Sequence, residues 1–178
     1  GQRRGEGEGH QLQTMWDIFA LSRLEPFDES LVAKREKAVK WVSAAPVPQA
    51  TDARAMRLLF EHRFGEPPKL EQVLADVSAA QNEDGSWSWM PDEEGDAWAT
   101  GIMLYALSFL GEDAPAERIK AAQTYLAKTQ REDGSWHVAT KNRITKEDEI
   151  SSFFGTAWSV MGVARTIERK VSVASPEE

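Results

Sequence analysis

Cysteine is absent from the 178-residue chain, which excludes disulfide frameworks, cysteine-ligated zinc, iron–sulfur clusters and thiol nucleophiles. Histidine is scarce, and His10, His62 and His137 form no HxH or HxxxH pair that would hold a metal. We therefore expect neither a metal nor a cofactor. Basic residues are fewer than acidic ones, 21 against 29, which gives a net charge of −8. Because nucleic-acid binding usually requires a basic surface, no nucleic-acid partner is expected.

Long apolar runs are also missing. No stretch approaches the roughly 20 residues that a membrane-spanning helix needs, so no transmembrane segment is predicted. The sequence begins at Gly1 and shows no signal-peptide pattern, which predicts a processed chain or a piece of a longer protein. Charged residues make up 28% and hydrophobic ones 41%, as in an ordinary soluble protein. The lack of cysteine does not distinguish the cytoplasm from the periplasm, so the compartment stays open.

Tyrosine occurs only twice, whereas tryptophan occurs seven times, and two of the tryptophans end matching segments. Residues 81–87 read QNEDGSW, and residues 130–136, 49 positions later, read QREDGSW. We call these segments the first and second repeat turns. Such agreement at a fixed spacing indicates an internal structural repeat.

The rest of the sequence shows helical periodicity and no alternating pattern that would predict a β-strand. Capping and stop signals predict seven helices, over about residues 10–24, 28–45, 52–64, 69–81, 96–111, 114–130 and 149–169. Residues 1–9 are predicted to be a flexible leader and residues 171–178 a flexible tail, which leaves 10–170 as a single domain. The predicted fold class is all-α.

The predicted helices alternate between two types. The first, third, fifth and seventh, which we call A helices, contain the similar openings Thr14-Met15-Trp16, Asp52-Ala53-Arg54, Asp96-Ala97-Trp98 and Thr156-Ala157-Trp158. The three helices between them, the B helices, resemble one another instead. Each A–B pair would form a helical hairpin that cannot bury its apolar face alone, so neighbouring hairpins must stack.

The repeat turns suit a structural role. Asp-Gly is a turn-forming pair, and glycine can adopt the positive φ that ends a helix. We expect the glutamine amide to donate to a last-turn carbonyl of the preceding helix and to accept from the next element. The tryptophan ring would then shield these bonds and connect adjacent hairpins, or else simply fill core space. The residues concerned are Gln81, Asp84, Gly85 and Trp87, with Gln130, Asp133, Gly134 and Trp136.

With the A helix that follows each of them, the repeat turns resemble the QW repeats of the terpenoid cyclase and protein prenyltransferase superfamily. The resemblance covers about residues 28–168 and is strongest from residue 70 onward; GTAWSVMGV resembles the inner-barrel helix of squalene–hopene-cyclase-like proteins. It implies an α/α toroid, with inner A helices and outer B helices. A closed ring of this kind needs more than the three and a half hairpins found here. We therefore expect an open crescent, part of a longer protein, or a ring completed by another chain.

The catalytic motifs of that superfamily do not carry over. Class II cyclases protonate their substrate with a DxDD motif, whereas the nearest acidic stretch here reads Asp92-Glu93-Glu94-Gly95-Asp96. Only Asp96 could correspond to the catalytic acid, since it opens an A helix. The prenyltransferases and lanthionine cyclases of this architecture use cysteine-ligated zinc, which this chain cannot provide. Without these motifs, the resemblance predicts a non-catalytic protein rather than an enzyme.

If the A helices surround an axis, their first turns should form a ligand site. Aromatic rings with a few carboxylates would suit an apolar or cationic ligand. The candidate residues are Trp16, Asp52, Arg54, Asp96, Trp98, Tyr105, Thr156 and Trp158. The alternatives are helix N-capping for the two aspartates and core packing for the tryptophans.

Two further features of the sequence each allow two interpretations. Arg54 and Arg57 could bind an anion, although pairing with neighbouring carboxylates is the simpler interpretation. Residues 137–150 lengthen the second repeat relative to the first, and such a loop either binds something or is solvated.

Together these observations predict a non-catalytic α/α-toroid repeat domain that serves as a binding or assembly module. Its partner would be the remaining half of the toroid, another protein chain or a hydrophobic small molecule. The alternative is half of a squalene–hopene-cyclase-like enzyme, or an isoprenoid binder, with an axial aromatic cavity. A toroid of the polysaccharide-lyase kind would need a basic groove, which the acidic composition disfavours.

Overall fold

A computed structural model describes residues 5, 7–23, 29–138 and 145–172, without the side chains of residues 145–148 and 168–172. Most of the predicted leader and residues 173–178 of the predicted tail lie outside this set. The helices are α1 (Glu8–Leu21), α2 (Glu29–Ala44), α3 (Thr51–Phe64), α4 (Pro67–Ala79), α5 (Ala97–Leu107), α6 (Ala116–Thr129) and α7 (Thr145–Ser172). A short 3₁₀ helix, Gly111–Asp113, precedes α6. The predicted all-α class is confirmed in these residues.

The prediction that the chain forms no β-strand is wrong. Strands β1 (Trp87–Ser88) and β2 (Gly95–Asp96) pair antiparallel, with Trp87 opposite Asp96. Strands of two residues are too short to show an alternating pattern, so the sequence carries no signal for them. The small sheet lies between α4 and α5 in the chain and closes the loop that leads into α5.

Helix α1 begins at Glu8, two residues before its predicted start and within the predicted leader. The preceding Gly7 has a φ of 84°, a conformation that glycine adopts readily. The buried Glu8 carboxylate accepts hydrogen bonds from the backbone N–H of Gln49, at 2.7 Å, and of Ala50, at 3.3 Å. This contact attaches the start of α1 to the loop before α3. Because the segment is polar, hydrophobic periodicity could not include it in the helix.

The A helices form one row, in which α1 contacts α3, α3 contacts α5 and α5 contacts α7. Each of the B helices α2, α4 and α6 packs against the A helix that precedes it in the chain. Helix α5 lies inside the row, and 9 of its 11 residues are buried. The main core surrounds α5, and a smaller core joins α1, α2 and α3 through Met15, Ile18, Val42, Met56 and Phe60.

Small residues bring α5 and α7 close together. A Cβ atom added to Gly101 would lie 2.5 Å from the backbone nitrogen of Ser159, and one added to Gly162 would lie 2.6 Å from the Gly101 oxygen. The buried Ser159 hydroxyl donates to the Ala97 carbonyl at 2.9 Å. Glycine is required at this crossing because the two backbones leave no room for a side chain.

Candidate functional site

The two repeat turns have the same hydrogen-bond geometry. In the first, the Asp84 carboxylate accepts from the backbone N–H and hydroxyl of Ser86, at 2.9 and 2.6 Å. In the second, Asp133 accepts from Ser135 in the same way, at 2.9 and 2.7 Å. Gly85 and Gly134 have φ values of 92° and 85°, which explains why the turns carry glycine. The sequence repeat is therefore a structural repeat.

Each repeat tryptophan joins the last turn of one helix to the A helix that follows it. The indole N–H of Trp87 donates to the Val77 carbonyl in the last turn of α4, at 2.9 Å, and its backbone N–H donates to the Thr100 hydroxyl on α5. Trp136 repeats both contacts, with the Leu126 carbonyl of α6 and the Thr156 hydroxyl of α7. Both indoles are buried, so these bonds form away from water.

The glutamines bind differently from our expectation. The amides of Gln81 and Gln130 donate to the carbonyl oxygens of Gly85 and Gly134 within their own turns, each at 2.9 Å. The last-turn helix carbonyls are instead used by the indoles. Gln81 also donates to the Arg118 carbonyl on α6 at 2.9 Å, so the first turn contacts the next hairpin. The predicted donation by glutamine to a last-turn carbonyl of the preceding helix was wrong, because it ignored the reach of the tryptophan N–H.

The alignment of Trp98 with Trp158 was also wrong, by four residues. Thr100 and Thr156 accept equivalent bonds from the repeat tryptophans, so these two residues correspond. Trp98 then corresponds to Phe154, and Trp158 to Ile102. A shift of four residues is close to one helical turn and keeps the same face, so periodicity alone could not detect it.

An apolar groove lies where the four A helices meet, and we call it the aromatic groove. Its volume is about 180 Å³. It brings together five of the predicted site residues, which are Trp16, Asp52, Trp98, Tyr105 and Trp158. The other lining residues are Leu12, Ala55, Met56, Leu59, Ile102, Ala106 and Phe154.

The rings of this groove contact one another in two groups. Trp98 stacks on Phe154 with a centroid distance of 5.6 Å and an interplanar angle of 18°, and it meets Trp89 at 4.9 Å. Tyr105 and Trp158 meet edge to face at 5.4 Å. The indole N–H of Trp98 is buried and has no hydrogen-bond partner within the described part of the chain. The ring contacts pre-arrange an apolar surface that stays open to solvent, since Trp16 is 47% and Phe154 is 42% exposed.

Asp52 is the charged residue among the described residues that line the aromatic groove. It is the second residue of α3, whose N-cap is Ala50, so the N-capping alternative for Asp52 is wrong. Its carboxylate accepts from the backbone N–H of Ala53 at 2.7 Å. A carboxylate beside several ring faces favours a ligand with an apolar body and a positive charge.

Three of the predicted site residues do not line the groove. Asp96 is the N-cap of α5 and accepts from the Ala99 N–H at 2.8 Å, as the capping alternative predicted. Thr156 lies within the long helix α7 and binds Trp136. The Arg54 side chain donates to the Pro48 carbonyl at 3.2 Å, and burial lowers its pKa, an effect that Asp76 and Glu8 oppose.

The groove residues that sequence reasoning missed are mostly aliphatic, but Phe154 is a ring that a correct alignment would have found. It precedes Thr156 by two residues, as Trp98 precedes Thr100. The predicted loop 137–150 is also corrected in part, because residues 145–150 belong to α7 and only 139–144 lie outside the described residues. The lengthened repeat thus adds helix at the groove, from which Phe154 contacts Trp98.

Burial of the Asp96 carboxyl raises its pKa to about 6, against the hydrogen bonds from Ala99 and Trp98 that lower it, while Glu93 raises it further. The folded chain therefore retains a proton between about pH 4 and 6 that the unfolded chain has lost, so its stability falls as the pH rises through this window. Asp96→Asn keeps the cap and removes the titration. We expect it to gain on the order of 2 kcal/mol over the wild type between pH 4 and pH 7.

Urea unfolding at both pH values measures this difference. Asp133→Asn is the control, because hydrogen bonds from Ser135 lower the pKa of that exposed carboxyl. This variant keeps Asp96, so its stability should fall as the pH rises, as in the wild type, and it should show no gain over the wild type. A pH-independent difference between wild type and Asp96→Asn would contradict the shift.

No family model matches the chain, and no curated protein matches it either. Within the described residues, no three histidine, aspartate or glutamate side chains cluster closely enough to hold a metal ion. None of the helices in those residues combines the length and apolar character needed to cross a bilayer. The aromatic groove is therefore the feature of the molecule that bears on its function.

Proposed function

We propose that this chain is a non-catalytic α/α repeat domain of the toroid kind, related to the terpenoid cyclase and prenyltransferase superfamily, that works as a binding or assembly module. The observation that carries the proposal is the aromatic groove, to which all four A helices contribute. In a toroid the inner helices surround the axis, and here α1, α3, α5 and α7 line one concave site.

The size of the groove favours a protein partner over a large substrate. Pockets that hold whole small-molecule ligands usually measure about 300–1,000 Å³, whereas this groove measures about 180 Å³. That space accepts one or two large side chains. We therefore propose that the groove takes an aromatic or aliphatic side chain from a partner chain, with a cationic group near Asp52.

The main alternative is an isoprenoid-binding or cyclase-like half-enzyme, and the raised pKa of Asp96 is the observation that favours it. A carboxyl whose pKa is raised toward 6 can act as a general acid. Against this, Asp96 caps α5 through Ala99 and does not line the groove. The chain also lacks the DxDD motif.

Titration with 4-phenylbutylamine, which carries one ring and one ammonium group, tests the proposal. The probe should bind saturably and shift the indole N–H resonances of the groove tryptophans. Trp158→Ala should abolish binding, and Asp52→Asn should weaken it about 10-fold through loss of the ion attraction. Trp41→Ala is the matched control, because Trp41 is 49% exposed on α2 and outside the groove.

Titration with farnesylamine separates the two functions. A binding module should bind this isoprenoid amine no more weakly after Asp96→Asn, because Asp96 lies outside the groove. Binding that is lost in Asp96→Asn while the variant stays folded would overturn the module proposal in favour of the cyclase-like one. Probe binding that survives Trp158→Ala would overturn the groove as the site.

A further inference from the structure

Helix α7 carries a second apolar surface, on the side opposite the face that packs on α5. We call it the outer stripe, and its members recur every three or four residues: Ile150, Phe153, Ala157, Val160, Ala164 and Ile167. Its four large side chains are between 51% and 68% exposed. The face of α7 that packs inward is made of small residues, including Gly155, Ser159 and Gly162. The larger apolar side chains of this stripe therefore face away from the core.

The alignment of the two repeats shows which residues of α5 correspond to the outer stripe of α7. With Thr100 matched to Thr156, Ala157 corresponds to Gly101 and Val160 to Leu104 on α5. These α5 residues form the face against which α7 packs, since both Gly101 and Leu104 contact Gly162. The outer stripe is therefore the helix-binding face of the repeat, repeated once more on α7.

The opposite end of the row is different. The exposed residues of α1 are mainly polar, including His10, Gln13 and Asp17, and its exposed tryptophan, Trp16, lines the aromatic groove. A polar α1 cannot satisfy the apolar outer stripe of another copy, so head-to-tail stacking is disfavoured. The element that covers the stripe must itself present apolar residues at helical spacing.

The outer stripe meets this requirement itself. Phe153, Val160 and Ile167 are seven residues apart, and Ala157 and Ala164 stand between them. In an antiparallel pair, residues whose numbers add up to 317 face each other. Phe153 then faces Ala164 of the second copy, and Val160 faces its Ala157, so that each large side chain meets a small one. At the ends Ile150 faces Ile167.

We infer that this chain forms a two-fold symmetric dimer through antiparallel pairing of α7 along the outer stripe. The seven-residue spacing is that of helices packed at a small crossing angle with a left-handed twist. A parallel pair would place Phe153 against Phe153 and alanine against alanine, which combines overpacking with voids. The antiparallel pair is isologous, as in most dimers of identical chains.

The dimensions of the stripe set the strength of the dimer. It spans 18 residues, which is about 25 Å of helix, and is roughly 10 Å wide. Such a surface covers about 250 Å² per chain, less than the roughly 800 Å² per partner of a standard interface, so we expect a weak dimer with a dissociation constant on the order of 100 μM. The aromatic groove lies on a neighbouring side of α7, where Phe154 and Trp158 line it, so pairing leaves the groove open.

Sedimentation equilibrium over a hundredfold concentration range tests the dimer. Wild type should pass from monomer to dimer, and Val160→Glu should weaken association about 100-fold because each interface then buries two carboxylates against apolar neighbours. Val160 is 52% exposed in one chain, so the monomer should stay folded. Trp41→Glu, at a similarly exposed apolar residue on α2, should dimerise like wild type. A wild-type monomer throughout, or a dimer unaffected by Val160→Glu, would overturn the inference.

Cross-linking tests the orientation, and the lack of native cysteine makes it specific. A short bismaleimide should join Phe153→Cys to Ala164→Cys in a mixture of the two variants. Phe153→Cys alone should cross-link poorly, because two copies of residue 153 lie about 16 Å apart along the antiparallel pair. Self-linking of Phe153→Cys as efficient as that of the mixture would indicate a parallel pair and overturn the proposed register.

Discussion

Replacing Trp87 with alanine is expected to lower the free energy of unfolding by about 3–5 kcal/mol. The ring is 1% exposed and belongs to the main core around α5. Its loss removes the apolar contacts, leaves a cavity and strips the Val77 carbonyl of its indole partner. Since a domain of this size is stabilised by about 5–15 kcal/mol, this one change removes a large fraction of the total.

Urea unfolding measures the effect, and two comparisons define its cause. Trp87→Phe keeps most of the ring but removes the N–H, so it should cost less than alanine and leave mainly the hydrogen-bond loss. Trp41→Ala, at a tryptophan that is 49% exposed, should cost less than about 1 kcal/mol. Equal losses for Trp87→Ala and Trp41→Ala would show that the repeat tryptophan does not hold the hairpins together.

Removing Arg57 alone is expected to cost about 3–5 kcal/mol, because it leaves the Glu61 carboxylate buried without its partner. The two side chains pair at 2.6 Å across one turn of α3, with exposures of 0% and 1%. Arg57 also donates to the Ala45 carbonyl at 3.2 Å, so it attaches α3 to the end of α2. The sequence interpretation that favoured pairing over anion binding is confirmed for this arginine.

A double-mutant cycle tests this pair. Arg57→Met alone should be strongly destabilised, whereas Arg57→Met with Glu61→Leu should recover most of the loss, because an apolar pair can replace a buried ion pair at little cost. The free energies of unfolding of the four proteins give the coupling. Additive losses in the double variant would mean that the two side chains do not depend on each other.

The helices could be predicted because amphipathic periodicity and breakers such as Gly65 and Pro67 are local signals. The first residues of α1 and α7 could not be predicted in this way, because Glu8 and the polar start of α7 lie outside any apolar pattern. Glu8 is helical because its carboxylate binds Gln49 and Ala50, which follow it by some 40 residues. A contact of that separation leaves no trace in local sequence.

The candidate site was predictable to the extent that it depends on helix faces. Trp98 and Tyr105 share a face of α5 by spacing alone, and both line the groove. Thr156 was misplaced because α7 begins 11 residues before it, so a residue expected in a first turn lies mid-helix. The four-residue error in alignment had a different cause, since Trp98 and Trp158 were matched by residue type and a shift of about one helical turn keeps the same face. It was resolved only by the bonds that Thr100 and Thr156 accept.

The length of α7 has a consequence for how such a repeat can change. The interval from repeat tryptophan to its threonine is 13 residues in the first repeat and 20 in the second, so the second is longer by seven. Helix α7 has 11 residues before Thr156, whereas α5 has three before Thr100, so the added length appears as extra helix ahead of the threonine. The bond from the repeat tryptophan to its threonine is the same in both repeats. A repeat of this design can therefore grow ahead of its threonine, and so heighten one wall of the groove, without disturbing the hydrogen bond that joins its hairpins.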